Sequence, residues 1–297
     1  MKETIFTGAA TAIITPMTEN GVDYEAFGKL IDWQIEEGID AIVAVGSTGE
    51  GATLNDEEHC KVLDFAVKRV NHRVPLIAGT GSNDIAYAVH LTEYACSIGV
   101  DAVLTVTPYY NKGTQNGLIK SFETIADHST KPVILYNVPS RTGCNLLPES
   151  CSILADHPRI HAIKEASGNL AQIAKVAALT RGRLDIYSGN DDETVPILSI
   201  GGKGVISVIS NLLPRETSEM CHAYFDGNLE RAKEIQLERV SLVNALFCEV
   251  NPIPVKAAMY HMGYCENILR LPLTPMEKAH EDAMVELMKQ AGIPIVR

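Results

Sequence analysis

The segment Gly38-Ile39-Asp40-Ala41-Ile42-Val43-Ala44-Val45 returns 61 positions later, from 38 to 99, as Gly99-Val100-Asp101-Ala102-Val103-Leu104-Thr105-Val106. Each copy reads as a helix-ending glycine, a short turn and an almost unbroken apolar strand. Glycine suits the first position because the residue after a helix often turns left-handed, which crowds any Cβ. The spacing is that of two strand–helix units of about 30 residues each. A chain that repeats such units is restricted to parallel sheets with helical crossovers.

The segment between the copies supports this. Asn55 is a helix N-cap, Asp56, Glu57 and Glu58 place acid in the first turn, and Lys68 and Arg69 place cations near the end. Leu63, Ala66, Val67 and Val70 recur at helical spacing and predict the buried face. Val74–Ala78 is then a short strand. Further strand-like runs lie at Ala10–Ile14, Pro132–Tyr136, Ile160–Lys164, Leu184–Tyr187 and Gly204–Val208, with helical segments between them near Asn116–Asp127, Pro148–Ala155, Asn169–Leu179 and Asp191–Ser199. The runs lack period-two alternation, as strands covered on both faces do. Eight of them predict a (β/α)8 TIM barrel, with a doubly wound open sheet as the competitor. Strand signals stop at about Pro214, and helical patterns continue through Asn228–Phe247, Pro254–Met262 and Pro275–Ala291. The expected division is a barrel over 1–225 and a C-terminal helical appendage over 226–297.

Charge limits the partners. Against 25 Lys and Arg stand 37 Asp and Glu, a formal net charge of −12, which argues against nucleic acid or an anionic membrane as partner. Seven dispersed cysteines without a Cys-x-x-Cys pair read as reduced thiols in a cytoplasmic protein. The apolar run at Ala9–Ile14 is short, follows Glu3 and ends at Pro16, so it reads as the first strand rather than a signal peptide. No stretch approaches the ~20 apolar residues of a membrane helix.

Barrel chemistry sits past the strands' C-terminal ends. There the sequence places Gly46-Ser47-Thr48-Gly49-Glu50, Gly79-Thr80-Gly81-Ser82-Asn83, Thr107-Pro108-Tyr109-Tyr110-Asn111, Tyr136-Asn137-Val138-Pro139-Ser140-Arg141-Thr142-Gly143, Lys164-Glu165-Ala166-Ser167-Gly168 and Ser188-Gly189-Asn190-Asp191-Asp192. Any one of these is an ordinary loop with capping residues. Together they gather hydroxyls, a phenol and a cation on one face. Lys164 ends an apolar strand, where desolvation would favour the neutral amine that attacks a ketone; the competing reading pairs it with a carboxylate such as Glu165 or sends it to solvent. Tyr136 ends the preceding strand and suits proton transfer to and from a carbinolamine and an enamine, against the commoner fate of a core aromatic. Arg141, between Pro139 and Gly143, suits bidentate capture of a carboxylate, against a surface salt bridge.

Other signals point nowhere specific. The glycines at 46, 49, 51, 79 and 81 match neither dinucleotide nor P-loop spacing, and Gly201-Gly202-Lys203-Gly204 lacks the Ser or Thr that a P-loop needs. The nine histidines form no metal-binding pattern, which argues against a metal-dependent aldolase or hydrolase. Asp191-Asp192-Glu193 reads as acid at a helix start rather than a cation site.

The motifs Gly46–Glu50, Thr107–Asn111 and Tyr136–Gly143, with Ile163-Lys164-Glu165-Ala166 and Asn251-Pro252-Ile253-Pro254-Val255-Lys256, resemble the 4-hydroxy-tetrahydrodipicolinate (dihydrodipicolinate) synthase family in order from about Phe6 to Leu273. The resemblance implies aldol condensation of pyruvate with L-aspartate 4-semialdehyde. It implies that Lys164 forms the Schiff base and that Tyr136 is the general acid and base. Ser47 and Tyr110 would complete a proton relay, with Tyr110 supplied across a tight-dimer interface. Thr48 and the backbone of Ile206 would bind pyruvate, and Arg141 the carboxylate of the semialdehyde. It further implies a homotetramer of two tight dimers with no metal or organic cofactor.

Two departures stand out. Ser47 replaces the family's usual threonine, keeping the hydroxyl and losing the methyl that restricts its rotamer. Some members bind lysine at the dimer interface and are inhibited by it. His59, Asn83 and Tyr109 agree with that site, whereas Gly51, Asp56 and Tyr87 do not, and Tyr87 stands where a glutamate meets the effector's ammonium. Weak or absent inhibition by lysine is expected. Within the superfamily the rivals are N-acetylneuraminate lyase and keto-deoxy-sugar-acid aldolases, from which Arg141 in Ser-Arg-Thr-Gly and the Tyr109-Tyr110 pair separate this chain. A non-catalytic barrel sensing pyruvate-like ligands is the rival of another class.

Overall fold

The computed structural model describes residues 2–297. Eight parallel strands close into a barrel: β1 (Gly8–Ala12), β2 (Ala41–Ala44), β3 (Leu76–Gly79), β4 (Ala102–Val106), β5 (Val133–Asn137), β6 (Ile160–Glu165), β7 (Asp185–Ser188) and β8 (Gly204–Ser207). Closure is made by β1, which pairs Ala10 with Ile206 of β8 on one side and with Ala41 of β2 on the other. This excludes the open sheet.

The internal echo has a shared physical cause. Asp40 accepts from the Ala9 amide at 2.8 Å and donates its own amide to the Ala9 carbonyl; Asp101 does the same with Leu76, also at 2.8 Å through its carboxylate. In each repeat the aspartate clamps the start of the preceding strand, and the left-handed glycine two residues earlier, Gly38 or Gly99, turns the chain into it.

Side chains alternate between two layers. Val133, Leu135 and Ile163 join the sheet–helix core, whereas Ala10, Ala12, Ala41, Ala102, Ala162 and Tyr136 face the barrel interior. The interior alanines leave space that larger residues would fill. At the end where the chain enters β1, Phe6 stacks on Tyr187 with centroids 4.2 Å apart, and the Tyr187 hydroxyl donates to the Phe6 carbonyl at 2.7 Å.

The helix Asp56–Val70 carries the expected capping box between Asn55 and Glu58. Its buried stripe is His59, Val62, Leu63, Ala66 and Val70; Val67 is half-buried and packs at the edge of the core. A small hairpin, Met17–Thr18 with Gly21–Val22, follows β1. After β8 come the helices Pro214–Phe225, Leu229–Leu246, Ile253–His261 and Lys278–Gln290, the first of which had no counterpart among the expected helices. None of the described helices is long and apolar enough to cross a membrane.

Candidate active site

Strand parity sets the centre of the site. Ala162 and Lys164 share the inner face of β6, Ala166 follows just past its end, and Tyr136 lies level with Lys164 on the adjacent β5. The Lys164 Nζ stands 4.5 Å from the Tyr136 ring centroid, and both residues are buried, at 6% and 8% exposure. Glu165, the alternative partner for the lysine, points the other way. Its carboxylate accepts from Asn137 Nδ2 at 3.0 Å and from the Ser167 amide at 3.0 Å.

Burial lowers the Lys164 pKa from 10.5 to about 8. The field of Asp191 pulls it back up, and the Arg141 charge pushes it further down. At pH 7 about a tenth of such amines are neutral, against roughly three in ten thousand for an ordinary lysine. Burial also raises the Tyr136 pKa, offset in part by Arg141 and by the Ser47 hydroxyl, so the phenol holds its proton at physiological pH. An available lone pair and an available proton therefore sit side by side.

Gly189 makes room for the lysine. A Cβ there would stand 2.7 Å from the Ala166 Cβ and 3.1 Å from the Lys164 Cε. The loop after β2 is shaped by backbone strain: Val45, a β-branched residue, has φ 58°, which sharply re-aims the chain into Gly46-Ser47-Thr48. Thr48 is buried and Ser47 exposed at the cavity rim.

A cavity of about 380 Å³ opens here, with Ser47, Tyr136, Arg141 and Asn251 on its wall, and continues toward His59 and Tyr87. Lys164 lies behind this wall, across the Tyr136 ring. Arg141 sits in the short helix Pro139–Thr142, and its Nη2 donates to the Asn251 carbonyl at 2.7 Å rather than forming a surface ion pair. Ile206 is fully buried on β8, where the ladder to β7 ends one residue earlier, at Val205 and Ser188. Tyr110 is not brought to Tyr136 within the protomer: it is 88% exposed, at φ 71°.

Several residues near the site carry no motif of their own. Asp191 does stand at a helix start, opening the 3-10 turn Asp191–Glu193 that leads into the helix Thr194–Ser199, but it is also buried, its Oδ2 accepting from the Val208 and Ile209 amides at 3.0 Å each. Its partners are two amides 17 and 18 residues on. Glu50 and Lys256 form a fully buried ion pair that ties the β2 loop to the helix Ile253–His261. Glu50 also accepts from the Arg270 amide, and Arg270 grips Glu58 at 2.5 and 2.6 Å. Lysine at the end of Asn-Pro-Ile-Pro-Val-Lys, within an apolar helix, was the one hint that a buried carboxylate awaited it. Among the described residues no cluster of His, Cys, Asp and Glu has the geometry to hold a metal ion.

Comparison with known proteins gives one answer over the whole chain. The Dihydrodipicolinate synthetase family profile matches residues 5–291. The 4-hydroxy-tetrahydrodipicolinate synthase of Acetivibrio thermocellus is 50% identical over 293 residues, 99% of this chain and 100% of that protein. That of Lachnoclostridium phytofermentans is 51% identical over 291 residues, 97% of this chain and 99% of its own. Among solved structures, dihydrodipicolinate synthase from Aquifex aeolicus superposes with TM-score 0.96 at 43% identity, covering 98% of this chain and 100% of that one. The chloride-inhibited enzyme from Acinetobacter baumannii, complexed with pyruvate, gives 0.96 at 42% identity, covering 98% and 100%.

Proposed function

The chain belongs to the dihydrodipicolinate synthetase family, and from that premise we propose how its own residues condense pyruvate with L-aspartate 4-semialdehyde to 4-hydroxy-tetrahydrodipicolinate. The neutral Lys164 amine attacks the pyruvate C2 carbonyl. Tyr136 protonates the carbinolamine oxygen, which leaves as water, and the iminium forms. The tyrosinate then takes a C3 proton to give the enamine, whose C3 attacks the aldehyde carbon while Tyr136 returns a proton to the new alkoxide. The semialdehyde's amino group, after shedding a proton to solvent, closes on C2 and expels the Lys164 amine; of its two remaining protons one goes to the departing lysine nitrogen and the other restores the Tyr136 phenol.

The observation that carries this reading is a buried amine with its pKa lowered to about 8, held 4.5 Å from a protonated phenol. Thr48 and the Ile206 backbone would receive the pyruvate carboxylate, and Arg141 that of the semialdehyde. Ser47 would pass protons between Tyr136 and a Tyr110 from a second protomer. A large aromatic held outward at φ 71° supports that last role, since such strain persists where function requires it. A tetramer of two tight dimers follows as part of the proposal, as do a barrel unit over 1–225 and a helical unit over 226–297. So does a cytoplasmic location, supported by seven unpaired thiols. The amine and the phenol supply the chemistry without a metal or organic cofactor.

Steady-state assays decide between this reaction and that of N-acetylneuraminate lyase or a keto-deoxy-sugar-acid aldolase. Turnover of pyruvate with aspartate semialdehyde is expected. Faster cleavage of N-acetylneuraminate than condensation would overturn the assignment.

A further inference from the structure

Asn251 opens the Asn-Pro-Ile-Pro-Val-Lys stretch, whose resemblance carries no role for it. The residue is 6% exposed and lies on the cavity wall with Tyr136 and Arg141. Its Nδ2 donates to Thr48 Oγ1 at 3.0 Å, and its main-chain carbonyl accepts from Arg141 Nη2 at 2.7 Å. Its Oδ1 is buried and has no hydrogen-bond partner. One residue thus touches, through its side chain and its main chain, the two residues proposed to hold the two substrates, and still has an unused acceptor.

Hydrogen-bond accounting gives each atom a task. A threonine hydroxyl has a single proton. Because Asn251 donates into Thr48 Oγ1, that proton is free to be given to a carboxylate, so the amide sets the direction of the Thr48 hydrogen bond. The Oδ1 faces a different need. In L-aspartate 4-semialdehyde the α-ammonium is borne by the same carbon as the carboxylate. A substrate seated on Arg141 therefore brings its ammonium to the wall next to that guanidinium, which is where Asn251 stands. The nearby Glu50 carboxylate is already engaged by Lys256 and the Arg270 amide. A buried acceptor without a donor is costly, and a ligand that supplies the donor removes that cost.

We infer that Asn251 reads both substrates, orienting Thr48 toward the keto acid's carboxylate and accepting the α-ammonium of the aldehyde on its Oδ1. The inference rests on the roles proposed above for Thr48 and Arg141. It is a positioning role toward pyruvate and a recognition role toward the semialdehyde.

Two variants of the full-length enzyme test it, Asn251→Asp and Asn251→Leu. Three quantities are measured: the pyruvate concentration giving half-maximal borohydride-trapped adduct on Lys164 without aldehyde, the KM for aspartate semialdehyde, and the inhibition constant of succinate semialdehyde, which has the same skeleton without the amine. In Asn251→Asp the carboxylate takes the Thr48 proton, so half-saturation by pyruvate rises roughly tenfold. The ratio of semialdehyde KM to succinate semialdehyde inhibition constant does not rise, because an acceptor for the ammonium remains. In Asn251→Leu that ratio rises roughly tenfold. Unchanged pyruvate saturation in the near-isosteric Asp variant, or an unchanged ratio in the Leu variant, overturns the inference. Failure of the underlying roles looks different, since Thr48→Val would then leave pyruvate half-saturation unchanged, or Arg141→Leu would leave the semialdehyde KM unchanged.

Discussion

Replacing Lys164 with methionine should make the protein more stable while abolishing its activity. Burial holds the folded-state pKa at about 8, below the 10.5 of the unfolded chain. Below pH 8 the lysine is charged in both states, and folding carries the full cost of burying an ammonium. That cost is relieved as pH rises from about 8 to 10.5, where the unfolded chain also loses the proton. The displacement from 10.5 to about 8 corresponds to about 3 kcal/mol at pH 7. This is a ceiling, because the Met variant also forfeits the attraction between the ammonium and Asp191, whose own buried carboxyl has a raised pKa. Methionine preserves most of the side-chain volume, so little packing is lost. The assay is urea unfolding of both proteins at fixed protomer concentration from pH 6 to 10.5. The Lys164→Met advantage should be largest below pH 8 and shrink toward the alkaline end. A variant that is no more stable at pH 7, or an advantage that does not change with pH, would refute the claim that the amine is held dry.

Gly189→Ala places a methyl 3.1 Å from the Lys164 Cε and 2.7 Å from the Ala166 Cβ; the expected result is a loss of kcat/KM for pyruvate of roughly tenfold or more and about 1–3 kcal/mol of stability, from kinetics and urea unfolding. Lys256→Met leaves the Glu50 carboxylate buried and uncompensated and should cost about 3–5 kcal/mol, most of it recovered in the double variant Glu50→Gln with Lys256→Met; equal losses in the single and double variants would contradict this. Tyr87 lies along His90, centroids 6.0 Å apart, and by the family resemblance it stands where lysine-inhibited members have a carboxylate for the effector's ammonium. A missing charged hydrogen bond of about 1.5–3 kcal/mol predicts little inhibition by lysine, and strong inhibition at sub-millimolar lysine would contradict that. Ser47→Thr restores only a methyl, so steady-state constants should move little; a large change in kcat would show that rotamer restriction matters.

The barrel was legible because parallel strands buried on both faces leave long apolar runs, and because Asp40 and Asp101 repeat one hydrogen-bonding task. Strand ends moved by one or two residues, Ala10–Ile14 becoming Gly8–Ala12, since pairing with β8 and β2 decides where the ladder stops. The hairpin had a signal in Asn20-Gly21, and the helix Pro214–Phe225 one in its leading proline. The opposed directions of Lys164 and Glu165 were also readable, from strand alternation alone. What could not be read is held across the chain. Glu50 meets Lys256 over 206 positions and Thr48 meets Asn251 over 203, and no local pattern announces a partner that distant. The strained Val45 is hidden for a related reason: a valine at φ 58° violates local preference and persists only because the packed loop imposes it.

The account depends on an amine at position 164 that is free to react. Incubation with pyruvate and borohydride, followed by peptide mass mapping, measures this directly. The predicted result is a single reduced pyruvyl adduct on Lys164, formed without added metal. An unmodified Lys164, or an adduct distributed over surface lysines, would contradict it.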